Sequence, residues 1–178
     1  VLPRLKNGAA VSATPKVITF VKAPPSFKFV EKPGEYTDLV FDGRKVLRYI
    51  NAPRTEANHY FTFKPFHHVF DPAKGETLLT AGAHPLTKEF LYPHHRGLFY
   101  GWNRISYERD GQRFEADIWH GTKNVYSQHE KVLATEAGPV FGRERAAISW
   151  HGPDGRTFAG EERELTAYNV TGGTLIDF

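Results

Sequence analysis

From residue 17 onward the chain is built of short runs in which apolar and polar positions alternate, each run cut by turn residues. Residues 17–21 stop before Pro24-Pro25, and residues 27–30 stop before Pro33-Gly34. A period of two in β-branched and aromatic residues predicts strands. Residues 37–41 and 45–50 flank Asp42-Gly43, a dipeptide that accepts the positive φ angles of a tight hairpin corner. Asp110-Gly111 sits in the same way between 104–108 and 112–115, and Pro153-Asp154-Gly155 follows the run at 147–150. Three such corners predict antiparallel pairing. No window keeps an apolar stripe at helical spacing for three turns, and 12 Pro and 16 Gly leave little room for long helices. The expected fold class is therefore all-β: an antiparallel β-sandwich of the jelly-roll or supersandwich kind. Residues 1–16 have no period and read as a flexible or processed leader, with 17–178 as a single sandwich domain. The run at 174–178 is strand-like with no cap or turn behind it, which predicts a sheet cut short at the C-terminus.

Composition changes this picture in a few places. At 178 residues, 40% hydrophobic and 14% aromatic, the chain can bury a real core. Its 23 Lys+Arg stand against 20 Asp+Glu, too small an excess to build a phosphate-binding surface, so no nucleic-acid partner is expected. No stretch approaches the ~18–20 apolar residues that a membrane-crossing helix needs. With no cysteine there is no disulfide, thiolate nucleophile or thiolate metal site. With no methionine the chain lacks an initiator, which predicts processing or a fragment, and a lost secretory signal is one source.

The candidate chemistry lies among the histidines. Of nine, His67, His68, His84, His94, His95 and His120 fall within about a third of the chain. A divalent metal would find candidate ligands there, but neither H-E-x-x-H nor His-x-carboxylate spacing occurs, and no residue is assigned as a metal ligand. P-loop, dinucleotide and nucleophile-elbow fingerprints are absent as well, so no nucleotide cofactor is expected and the cofactor is otherwise left open.

Neighbouring histidines on a regular strand point to opposite faces. In Tyr92-Pro93-His94-His95-Arg96-Gly97, Pro93 and Gly97 predict a loop instead, from which both imidazoles can face one way. His94, His95 and Arg96 would then present polar groups to hydroxyls or a carboxylate, beside Tyr92, Phe99, Tyr100 and Trp102. The alternative is that these side chains cap strand ends and fill the core.

In the run 115–120, strand alternation puts Asp117 and Trp119 on one face and Ile118 and His120 on the other. Asp117 is suited to orienting an imidazole. In 161–164, Glu162 and Glu164 share one face and Glu161 and Arg163 the other, as a charged edge strand would. If one of these carboxylates instead faces Asp117 across a cleft, the pair can do acid/base work. The expected catalytic residues are His94, His95, Asp117 and Glu162. Arg96, Trp102, Trp119 and His120 are the expected substrate-binding residues, and a carbohydrate or other small polar molecule is the expected substrate. A non-catalytic sandwich with Trp102 and Trp119 as a sugar-stacking platform is the competing expectation.

A set of motifs resembles one bacterial family. They are Asp42-Gly43-Arg44-Lys45-Val46-Leu47-Arg48-Tyr49, His84-Pro85-Leu86, Pro93-His94-His95-Arg96-Gly97-Leu98, Trp119-His120-Gly121, Trp150-x-x-Pro153-Asp154-Gly155, Glu161-Glu162-Arg163 and Ile176-Asp177-Phe178. Together they are similar to the PmoA-like domain family over about residues 35–178. The resemblance implies a secreted or periplasmic β-sandwich akin to sugar-active sandwich domains, with further strands beyond residue 178. It carries over His94, His95 and Arg96 as the matching motif, and Trp119 and Glu162 as weaker matches. The family name also suggests a metal-dependent oxygenase, but the methane monooxygenase subunit behind that name is a bundle of membrane helices, which this sequence does not contain.

Overall fold

The computed structural model describes residues 23–82, 92 and 94–178. The leader at 1–16, the strand expected at 17–21, His84 and Pro93 lie outside the described residues. Strands β1 (Phe27–Lys32), β2 (Tyr36–Phe41), β3 (Arg44–Ile50) and β4 (Phe66–Val69) form one antiparallel sheet in the order β1-β2-β3-β4. A second antiparallel sheet contains β7 (Tyr126–Ala137), β8 (Phe141–His151), β9 (Thr157–Val170) and β10 (Gly173–Asp177) in the order β10-β9-β8-β7. Between them in the chain, β5 (Ile105–Arg109) and β6 (Gln112–Ala116) make a separate hairpin. The described residues contain one short α-helix, α1 (His59–Thr62), and no helix long and apolar enough to cross a membrane. The fold is all-β, antiparallel and sandwich-like, as the alternation predicts.

The corners form for the stated reason. Asp42 and Gly43 take φ of 48° and 84°, and Asp110 and Gly111 take 52° and 73°, the twist that lets two strands return beside each other. The two large sheets meet through Phe27, Leu39, Val46 and Leu47 on one side and Leu165 and Ala167 on the other, all buried. Truncating Leu165 to Ala would open a cavity here at a cost of about 2–5 kcal/mol. A second cluster joins Ile148 and Trp150 of β8 to Ala116, Ile118 and Val125. It pins the end of the β5–β6 hairpin, and the segment that follows it, against the second sheet.

Residues 161–164 lie in the part of β9 that, among the described strands, pairs with β8 alone, because β10 pairs only with residues 166–170, so this stretch is an edge as its alternating charge predicts. Glu162 and Glu164 face water, while Arg163 is buried. Arg163 Nε donates to Glu161 Oε1 at 2.6 Å and its Nη1 to the Pro65 carbonyl at 2.9 Å, tying β9 to the start of β4.

The interior also holds a polar layer. The ring of His67 on β4 stacks on Tyr49 of β3 at 4.4 Å, and the Tyr49 hydroxyl meets His129 Nδ1 of β7 at 3.1 Å. Glu144 of β8 lies 3.7 Å from His67 Nε2. Burial holds His67 well below the usual histidine range and pushes Glu144 up to about 7, so their contact is no simple ion pair. Neither Glu144 oxygen has a hydrogen-bond partner among the described residues.

Candidate functional site

Two segments meet to form the site. The first, carrying His94 to Trp102, runs between β4 and β5 and is fastened to β4 by a pair of backbone bonds, His67 N–H to Leu98 O at 3.0 Å and Leu98 N–H to His67 O at 2.9 Å. Gly97 allows that approach, since any Cβ there would run into the His67 carbonyl. The second segment follows β6. Here the expected strand gives way to a turn, which corrects the facing of its side chains. Asp117 Oδ1 accepts the His120 backbone N–H at 2.8 Å, the Gly121 N–H bonds the Asp117 carbonyl at 2.9 Å, and Gly121 takes φ 67°. An Asp opening a turn and a left-handed glycine closing it outweigh alternation. Asp117 and His120, expected on opposite faces, are thereby brought together, with His120 Nδ1 2.8 Å from Asp117 Oδ2.

The two segments converge ring on ring. His94 packs against His95 and against His120 with centroids 4.5 Å apart in both cases, and the Trp119 ring edges onto His95 at 5.6 Å. Tyr92 closes the far side at 5.0 Å from His95. Desolvation, then the neighbouring His120, His95 and Lys64, hold His94 below the usual histidine range. The Asp117 carboxylate accepts from Nδ1–H of His120, which leaves Nε2 as the basic nitrogen of that ring. Among the described residues, no three His, Asp or Glu side chains are grouped so as to hold a metal ion, and no step is assigned to one.

Lys64, which sequence reading missed, holds the two segments in place. It is buried, and its Nζ donates to the His94 carbonyl at 2.7 Å and to the Trp119 carbonyl at 2.9 Å while lying 3.4 Å from the centre of the Phe99 ring. Burial, with Arg96 nearby, lowers it to about 6. Its only trace in the sequence is a lysine set inside the aromatic run Phe61-Thr62-Phe63-Lys64-Pro65-Phe66. His59 of α1 adds a further tie, with Nε2 donating to the Gly121 carbonyl at 2.7 Å.

Other expected site residues are placed elsewhere. Arg96 is 1% exposed. It points into the fold, where Nη1 donates to the Phe61 carbonyl at 2.8 Å, Nη2 donates to the Tyr60 carbonyl, and the guanidinium lies over Phe63. It satisfies carbonyls of α1 that a helix this short cannot pair within itself. Glu162 stands on the outer face of β9 opposite Ala147 and does not join the histidines. Trp102 is 57% exposed and leans on Trp150 at 5.5 Å, while Trp119 is half-buried against Phe99.

An open cleft of about 550 Å³ has Asp117, the partner of His120, in its wall. Arg104, Arg113 and Glu115 of the β5–β6 hairpin and Lys123 line it as well. Lys123 and Asn124 take φ of 54° and 60°. Two successive non-glycine residues in the left-handed region cost roughly 1–2 kcal/mol each, and such strain persists only where the surroundings fix it.

A family model described as a family of unknown function, DUF6807, matches residues 36–178. The chain belongs to that family. Comparison with curated proteins and with solved structures found no match. The match covers all the described elements of the DUF6807 domain from β2 onward, and with them every residue of the site. It shows no link to the PmoA-like family, so membership rests at the level of a domain of unknown function.

Proposed function

We propose that this DUF6807 domain acts on a carbohydrate, with His120 as the acid/base group that Asp117 orients. The observation that carries the reading is the meeting of three imidazoles at 4.5 Å centroid distances with a carboxylate that also lines an open cleft. A carboxylate on Nδ1 fixes the tautomer and the orientation of the ring, the arrangement used for proton transfer. His94 packs against the His120 ring and against His95, and exposed Trp102 offers an apolar face to a sugar ring. The bond broken is a glycosidic one, by hydrolysis or elimination. A secreted or periplasmic setting, where polysaccharide is met, accompanies this reading, as does the resemblance to PmoA-like domains.

The exposure of Trp102 also favours a second reading, a non-catalytic sugar-binding module. Incubating the full-length protein with a panel of polysaccharides and following both binding and release of shorter chains separates the two. The enzyme reading expects release that falls by roughly 10²–10⁴ in His120→Ala and Asp117→Asn. Binding without release, abolished by Trp102→Ala, would establish the module instead. Release unaffected by His120→Ala would overturn the assignment of His120.

A further inference from the structure

We infer that the saccharide is acidic, bearing carboxylate or sulfate groups that Arg104, Arg113 and Lys123 receive in the cleft beside Asp117. This rests on the carbohydrate reading and names its substrate class. All three cations are exposed and line one cleft, and none makes an ion pair or hydrogen bond with another described residue. The other cations around this hairpin behave differently. At its corner end, Arg109 pairs with Asp154 at 2.9 Å and Arg156 with Asp110 at 3.2 Å. Positive charge is therefore matched within the chain at Arg109 and Arg156, whereas Arg113, opposite Glu108 in register but without an ion pair to a described residue, lines the cleft with Arg104 and Lys123.

The acidic residues of the cleft reduce that excess without removing it: Asp117, both of whose oxygens also accept hydrogen bonds from His120, and Glu115 stand against the three cations. Arginine presents a planar fork that matches a carboxylate or sulfate in two parallel hydrogen bonds, and a lysine adds a point charge. Lys123 is held at the rim by a left-handed backbone, with the Val125 N–H bonded to the Thr122 carbonyl at 3.0 Å behind it. The cleft shares Asp117 with the histidine junction, which links a group held there to the residue that orients His120.

The test is calorimetric binding of the full-length protein to three oligosaccharides of equal length. One is carboxylated (oligogalacturonate), one sulfated (a carrageenan oligosaccharide) and one neutral (a xylo-oligosaccharide). The expected result is tighter binding of an acidic chain than of the neutral one, with the preferred acidic chain naming the group. Arg104→Ala, Arg113→Ala and Lys123→Ala should each weaken it by about tenfold or more, the effect of losing one charged hydrogen bond. Arg113→Lys should recover part of the loss. Arg145→Ala, which removes the same charge from an exposed position on β8, should leave binding unchanged. Equal or tighter binding of the neutral chain would overturn the acidic class while keeping the carbohydrate reading. Binding of none of the three would overturn both, and acidic binding indifferent to the cleft substitutions would overturn the site.

Discussion

The molecule contains two groups of histidines in opposite surroundings. His67 and His129 sit between the sheets with Tyr49 and Glu144, and His94, His95 and His120 sit at the junction of two loops with Asp117. In the first, desolvation dominates: His67 is kept neutral, and Glu144 is pushed towards its protonated form. In the second, a carboxylate accepts a hydrogen bond from a half-exposed ring and orients it without burying it. The lesson is that residue type and clustering do not make a site. Access to water, and a partner that orients the ring without burying it, decide which group can transfer protons.

Four substitutions probe that difference. The largest effect is expected from Lys64→Met, which keeps the apolar length of the side chain but removes the donor to His94 O and Trp119 O. At about 1–3 kcal/mol for each abandoned acceptor, urea unfolding should show a loss of roughly 2–6 kcal/mol. In the wild type, Lys64 has its folded value lowered from 10.5 to about 6, so its contribution makes stability rise with pH across that window. Lys64→Met should abolish that slope.

Next comes Glu144→Gln. Burial raises Glu144 from 4.5 to about 7, so the folded state binds more protons than the unfolded one between those values, and the wild type loses stability as pH rises through them. The variant, measured against wild type, should gain up to about 3 kcal/mol between pH 4 and pH 8, the shift converted at about 1.4 kcal/mol per unit. A difference independent of pH would mean that Glu144 is already ionised and matched.

Asp117→Asn should cost about 1 kcal/mol in stability. Its clearer mark is in nitrogen NMR, where the proton of His120 should no longer be fixed on Nδ1. Smallest is His95→Ala, an exposed position expected to shift stability by less than about 0.5 kcal/mol. A large loss there would erase the contrast between the two groups.

The sequence revealed the corners because their physics is local: an Asp-Gly pair tolerates positive φ whatever surrounds it. The convergence of His94, His95 and His120 was legible only as crowding along the chain, and the turn at Asp117 escaped because alternation and a capped turn compete within five residues. Arg96 was misplaced for a deeper reason. Whether a guanidinium faces solvent or the carbonyls of Tyr60 and Phe61 depends on where α1 lies, which no local pattern states. Lys64 is harder still, since its partners are 30 and 55 residues away.

Those same separations set an order of assembly. Bonds that close loops of 30 and 55 residues reward the chain only after the ends have been brought together. The hairpins with Asp-Gly corners can zip on their own, whereas the histidine junction sets only once β4 and the end of β6 are already docked. In the reverse direction it is the first part to open, and hydrogen exchange at His120 and Gly121 should outpace that of β8 and β9, whose ladders must separate along their length. The domain thus carries its histidine junction on a late-closing joint, with the buried Lys64 amine as its main latch.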